Sequence, residues 1–366
     1  MGTNSMWGQP PRLTTDTSGN TVLVGANGIT SYDGPRTSVQ PNPMANISGR
    51  VTRLVTTPII ADSTTAYWPW IIRVDRILTA PLGKYYLYAS TDHDAADGGI
   101  YLWYADAIEG PWTSYGLVYV DTARTTSVGA GQTETPSVVH DPAVGGLRMF
   151  YQQAAATYTT ELGATANAQG IQSTLSCTST DGITWTADPY FIVDIPLKAK
   201  QAGDGGATYF IPFSIGGKLC AYTIWGSGNY PSHVIHYCNG PLDDWTTDQQ
   251  ILPYGTFFCD VGDAVERYIA WNHCFAMKHS DGLVLIGQLS NFASGLTAKN
   301  ALIGAWPLAP DAKSATGNAE LLWSAKLAWE SADLRSVTPY IENGVVYIVY
   351  CCKVGGLLNV GVLKYV

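Results

Sequence analysis

Short apolar and aromatic runs, each following a glycine or a turn signal, dominate this chain. Five of them set its rhythm: Tyr85–Ser90 (YYLYAS), Leu147–Gln152 (LRMFYQ), Lys218–Thr223 (KLCAYT), Leu283–Gln288 (LVLIGQ) and Val345–Tyr350 (VVYIVY). Their starts lie 62, 71, 65 and 62 residues apart. A second short apolar run precedes each one, at Ile71–Leu78, Ser137–His140, Ala207–Phe213, His273–Lys278 and Val337–Ile341. A third follows, at Ile100–Ala105, Ile171–Thr178, His233–Cys238, Ala301–Trp306 and Leu358–Leu363. A turn with a tryptophan then marks a fourth in the first three units, at Gly110–Thr113 (GPWT), Asp181–Trp185 (DGITW) and Asp243–Thr247 (DDWTT). No sustained i, i+3, i+4, i+7 stripe occurs, so little helix is expected. Four short strands in a repeating unit of about 60 residues predict a β-propeller. Five such units predict five blades, each of four antiparallel strands, and the outer tryptophans are expected to pack between blades.

Residues 1–60 fall outside this rhythm. They are rich in Thr, Ser, Asn, Gly and Pro, with one short apolar run at Thr21–Val24. The expectation is an extended N-terminal arm over 1–60 and a propeller over 61–366, with part of the arm adding a strand that closes the ring on the last blade. An arm of this composition also suggests attachment to a neighbouring subunit, in a homo-oligomer or a virion.

Composition narrows the class. The chain is 46% hydrophobic, 11% aromatic and only 13% charged, which excludes disorder. A net charge of −9 repels phosphate and disfavours a large nucleic-acid partner, so none is expected. No run approaches the ~18 apolar residues of a membrane-spanning helix. The start, MGTNSMWGQPPRLTTDTSGN, has neither the basic nor the apolar region of a secretory signal peptide. Seven scattered cysteines without a C-x-x-C pair read as buried, reduced thiols, which suggests folding in a reducing cytoplasm.

In a propeller, the starts of the innermost strands and the loops between second and third strands share one mouth of the central channel. By this reading the mouth receives Arg73 and Asp75, Glu134 and Thr135, Asp204, His273 and Arg335, with Asp92, His93, Trp225 and Lys353 from the loops. Converging carboxylates are what cleavage of a glycosidic bond requires: one donates a proton to the leaving oxygen while another activates water or attacks. Asp75 reads as the base, Glu134 as the acid, and Asp204 or Asp92 as a third, orienting carboxylate. Asp204 in GDGGATY reads equally as a turn residue, and Asp92 and His93 equally as a polar turn. Trp68, Trp70 and Trp225 are candidate stacking surfaces for sugar rings. Arg335 would grip a substrate acid group or hold a channel carboxylate ionised. His273 reads as a core histidine or as a metal ligand.

Four segments carry a family resemblance: Lys84–Trp112 (KYYLYASTDHDAADGGIYLWYADAIEGPW), Glu134–Gln152, Gln172–Trp185 and Leu327–Tyr350. They resemble five-bladed propeller glycoside hydrolases of the arabinanase, β-xylosidase and levanase superfamily, from about Tyr67 to the C-terminus. Ser179 with Asp181–Trp185 also resembles the Asp-box turn of sialidase-type propellers, a structural device. The superfamily resemblance implies one carboxylate from each of the first three blades acting as base or nucleophile, pKa modulator and acid. The matching positions are Asp75, Glu134 and, nearest on the third blade, Asp204. Relatives use the order Asp, Asp, Glu, whereas this chain offers Asp, Glu, Asp. Some relatives hold a central ion or water cluster with one histidine, which would be His273 here, for Ca2+ or another ion; no cofactor is otherwise implied.

Two function classes follow. One is a hydrolase that cuts a polysaccharide or oligosaccharide at the channel mouth, in one form as a phage tail depolymerase. The other is a non-catalytic glycan-binding or structural virion propeller. A protein-binding scaffold of the WD-repeat kind is disfavoured, because its Trp-Asp dipeptides and its period near 40 are absent.

Overall fold

A computed structural model describes residues 12–15, 21–25, 28–31, 49–91, 98–122, 133–154, 157–159, 165–167, 172–189, 192, 208–225, 232–248, 252, 258–260, 267–279, 282–291, 302–317, 319–330 and 334–365. Of residues 12–31, 154–173, 208, 225, 232, 258–273, 279 and 289–291, only backbone strand positions are described. Among the described residues no helix is long and apolar enough to cross a membrane.

The repeat is realised as five antiparallel blades. The first three are four-stranded sheets: Tyr67–Arg73, Tyr85–Ser90, Ile100–Ala105 and Thr113–Tyr119; then Glu134–Asp141, Gly146–Ala154, Gln172–Ser179 and Thr186–Ala187; then Thr208–Ile215, Lys218–Trp225, Ser232–Cys238 and Trp245–Thr247. The fourth blade orders Arg267–His279, Gly282–Asn291, Leu302–Leu308 and Glu320–Ser324, with Phe258–Asp260 added beside its innermost strand. The fifth has Leu334–Glu342, Val345–Val354 and Leu357–Tyr365. Its outer position is filled from the N-terminal side of the chain, by Val51–Arg53 and Ile60–Asp62, both antiparallel to Leu357–Tyr365. The expected arm therefore contributes the strands that close the ring. Further upstream, Arg12–Thr15, Thr21–Gly25 and Gly28–Ser31 form a separate three-stranded antiparallel sheet.

Closure is locked chemically. Glu330 is buried where the fourth blade gives way to the fifth, and both its oxygens accept from Arg53 of the closing strand at 2.9 Å. The Tyr350 hydroxyl and the Lys326 and Leu327 N–H groups complete the carboxylate's shell. Burial raises the pKa of Glu330, but the Arg53 hydrogen bonds and the backbone donors outweigh that and leave it below the usual carboxylate range.

The blades pack through aromatic rings, as alternation in half-buried strands requires. Trp185 of the second blade meets Tyr88 of the first edge-on at 5.7 Å. Trp245 of the third meets Phe150 of the second at 5.8 Å. The tryptophan turns thus sit between blades, as expected. In the Asp-box turn, Asp181 Oδ1 accepts from the Ile183 and Thr184 N–H groups, both at 2.7 Å, and Ser179 Oγ accepts from Gly182 N–H. The Tyr88 hydroxyl then donates to the Gly182 carbonyl at 2.7 Å, tying that turn to the first blade. Cys177, Cys220, Cys238, Cys274, Cys351 and Cys352 are buried.

One strand departs from expectation in a way that moves a candidate residue. The innermost strand of the first blade is Tyr67–Arg73 rather than Ile71–Leu78. The apolar run continues past the strand because Val74 and Leu78 are buried by a turn, in which the Ile77 and Leu78 N–H groups bond to the Val74 carbonyl.

Candidate functional site

The innermost strands run side by side with their starts at one end of the channel. Arg335, at the start of the fifth blade's strand, lies over the Tyr67 ring at the start of the first, with 5.7 Å between guanidinium carbon and ring centroid. At the other ends of the same two strands, Arg73 and Glu342 form an ion pair. The channel mouth is the Tyr67 end.

There the five blades share a device. In the first three, two residues of the innermost strand stand opposite one of its neighbour: Trp68 and Pro69 between the pairs Tyr67↔Ser90 and Trp70↔Tyr88, Thr135 and Pro136 between Glu134↔Gln152 and Ser137↔Phe150, and Tyr209 and Phe210 between Thr208↔Ile224 and Ile211↔Tyr222. The fourth blade shifts register between Ala270 and Cys274, the fifth between Leu334 and Ser336. These are β-bulges, which turn a side chain out of the sheet's alternation.

Trp68, Thr135 and Tyr209 have φ of 52°, 53° and 54°, a left-handed conformation that costs a bulky or β-branched residue about 1–2 kcal/mol. Pro69 and Pro136 suit the bulge because they have no N–H to leave unpaired. The neighbouring blade supports the strained residue: Thr135 N–H donates to Ser90 Oγ at 3.4 Å, and Tyr209 N–H to Gln152 Oε1 at 3.3 Å. Trp68 and Tyr209 belong to blades that are not neighbours, yet their rings approach to 6.1 Å. The bulges therefore direct these side chains toward the channel axis.

Glu134 begins the second blade's strand, immediately before the bulge, and is fully buried. Its Oε2 accepts from Gln152 Nε2 at 3.1 Å, so Gln152 links the carboxylate to the third blade through Tyr209 N–H. On the fifth-blade side, Lys353 Nζ donates to the Tyr67 hydroxyl at 2.8 Å. Among the described residues the mouth thus combines the buried Glu134 carboxylate, an aromatic wall of Tyr67, Trp68 and Tyr209, and the cations Arg335 and Lys353.

Asp75 does not join it. The first strand ends at Arg73, so Asp75 lies past the opposite end, with Arg73 Nε at 2.6 Å and Nη2 at 3.0 Å. Those hydrogen bonds hold its carboxyl below the usual range. Asp75 and Glu134 therefore stand at opposite ends of the ring and share no substrate position. Trp70 is also displaced: its Nε1 donates to the Val138 carbonyl at 2.8 Å, and its ring lines the channel beyond the mouth. Trp68 and Arg335 are at the mouth. Asp92, His93 and Asp204 lie outside the described residues. Trp225 ends the third blade's second strand, at the mouth, and His273 falls within the fourth blade's register shift, both described as backbone only.

Tyr209 was missed as a site residue because nothing in its own chemistry marks it, and Thr135, expected at the mouth, gave no sign of its left-handed backbone. Proline within an apolar strand, in YWPW and ETPS, was the available signal for two of the three left-handed bulges. The third has no proline. No residue cluster suited to hold a metal ion occurs among the described residues.

Solved structures with similar architecture include glycoside hydrolases. A thermostable family-43 glycoside hydrolase superposes with a TM-score of 0.54 at 14% identity, over 85% of this chain and 92% of its own. The endo-arabinase of Bacteroides thetaiotaomicron gives 0.53 at 13%, over 85% and 96%. The α-L-arabinofuranosidase of Lactobacillus brevis gives 0.52 at 14%, over 84% and 92%. The fold is the five-bladed propeller of these hydrolases. No protein-family model and no curated protein matches the sequence.

Proposed function

We propose that this propeller acts on a polysaccharide at its channel mouth, as a glycoside hydrolase with Glu134 as a proton-transferring carboxylate. The observation that carries this is the ring of bulges, which turns Trp68 and Tyr209 to the axis beside a buried carboxylate. Strained backbone held by neighbouring blades is characteristic of binding and catalytic sites. Aromatic rings offer flat apolar faces to sugars, and Glu134 has a fixed partner in Gln152 to orient it. Hydrolysis needs a second carboxylate within about 5–10 Å. Asp204 is proposed for that role, because it precedes the third blade's innermost strand by four residues and that strand starts at the mouth.

A second reading, glycan recognition without cleavage, is favoured by the bulges themselves. The three equivalent left-handed positions carry Trp, Thr and Tyr, none of which is a carboxylate.

One experiment separates the two. Purified protein is incubated with arabinan, xylan, levan, agar-type galactan and capsular polysaccharides, and new reducing ends are counted. Hydrolysis should fall by about a hundredfold or more in Glu134→Gln and persist in Asp75→Asn. Turnover retained in Glu134→Gln would overturn the catalytic assignment. Binding to one glycan by calorimetry with no reducing ends released would establish the second reading.

A further inference from the structure

The channel has a second opening, and its chemistry differs from the mouth. A cavity of about 390 Å³ occupies the end where the innermost strands finish. Its walls include Trp70, Val138, Pro212 and Pro339, contributed by four different blades. Trp70 cannot swing away freely, because its indole N–H is bonded to the Val138 carbonyl. The walls are therefore rigid and largely apolar.

Charge gathers at the rim. Arg73 is fully engaged, with Nε and Nη2 on Asp75 and Nη1 on Glu342. The Glu342 carboxylate is further occupied by the Tyr85 hydroxyl at 3.0 Å. The two rim carboxylates thus share the hydrogen-bond donors of one arginine. Arg76 and His140 also line the cavity, from the first and second blades; Arg76 acts on Asp75 through charge alone, with its hydrogen-bond donors unengaged among the described residues. An exposed guanidinium whose hydrogen-bond donors are not taken up by a protein carboxylate presents a donor fork suited to an incoming carboxylate.

We propose that this cavity is a second ligand site, separate from the mouth, which takes a small carboxylate-bearing molecule with one flat apolar face. Arg76 supplies the ionic contact, His140 a further polar contact, and Trp70 with the prolines receives the ring. The volume is at the low end for small-molecule sites, which limits the ligand to about one or two rings. Sugar acids and aromatic acids share this chemistry. On a chain with a net charge of −9, the preference for an anion is a local property set by the unengaged donors of Arg76.

Calorimetric titration of the full chain with D-glucuronate, benzoate and neutral glucose tests this. One of the two acids should bind one-to-one, and glucose should bind at least about tenfold more weakly, since it lacks the charged contact. Arg76→Gln, at an exposed position, should weaken the acid by about tenfold or more, while Glu134→Gln should leave it unchanged. Glucuronate binding alone would identify a sugar-acid site, and benzoate alone an aromatic-acid site. Binding of neither acid, or affinity unaffected by Arg76→Gln, would overturn the proposal. Loss in Glu134→Gln would also overturn it, by relocating the acid to the mouth.

Discussion

His236 shows how little of a residue's behaviour follows from its type. It is fully buried in the third blade, with Thr223 Oγ1 at 2.7 Å on one ring nitrogen and Thr247 Oγ1 at 3.0 Å on the other. Burial pushes its pKa down to about 3, against a smaller opposing pull from Asp248. The unfolded chain, with an ordinary value near 6.5, binds a proton that the folded chain refuses. The resulting stability is fully present above about pH 6.5 and is lost as pH falls toward 3, by up to about tenfold in the folding equilibrium per pH unit. His236→Gln should flatten that slope between pH 6 and 4, measured by urea unfolding at several pH values. An unchanged slope would mean that the imidazole takes up its proton while folded. At the same scale, Asp75 and Glu134 look alike in sequence, as carboxylates near the start of a blade. Arg73 and the strand end separate them.

At the scale of elements, ring closure is the step most exposed to single substitutions. Arg53 and Glu330 lie far apart in sequence yet form the bidentate pair that fastens Val51–Arg53 to the last blade. Arg53→Ala leaves a buried carboxylate without its cation and should cost about 3–5 kcal/mol, seen as a lower denaturation midpoint with activity per folded molecule unchanged. Because the folded pKa of Glu330 lies below its unfolded value near 4.5, its contribution is present above that value and disappears as pH falls through the folded one. Acid unfolding of the wild type should therefore be steeper than that of Arg53→Ala below pH 5. The elements themselves were largely legible: all five second strands fall on the runs that set the period. The bulges were less so, because a two-against-one register is a relation between strands and only its prolines are written in one of them.

For the whole molecule, a ring has no end that can fray without exposing blade edges. A chain begun at Gly49 keeps both closing strands, whereas one begun at Ser63 has lost Val51–Arg53 and Ile60–Asp62. The first should unfold in one cooperative transition by calorimetry. The second should be destabilised by several kcal/mol, since it uncovers the edge of Leu357–Tyr365 and strands Glu330. Equal stability of the two would show that the closing strands are dispensable.

Sequence alone determined the number of blades, the second and third strands within them, the tryptophan turns and the use of N-terminal residues to close the ring. All of these follow from local alternation, turn chemistry and a period that survives any error of a few residues. Tertiary structure alone decided which residues share an end of the channel. A strand that begins four residues earlier sends Asp75 to the far opening, and a bulge turns Trp68, Thr135 and Tyr209 to the axis. The reason is geometric: side-chain direction depends on strand polarity and register, and both are fixed by the neighbouring blade.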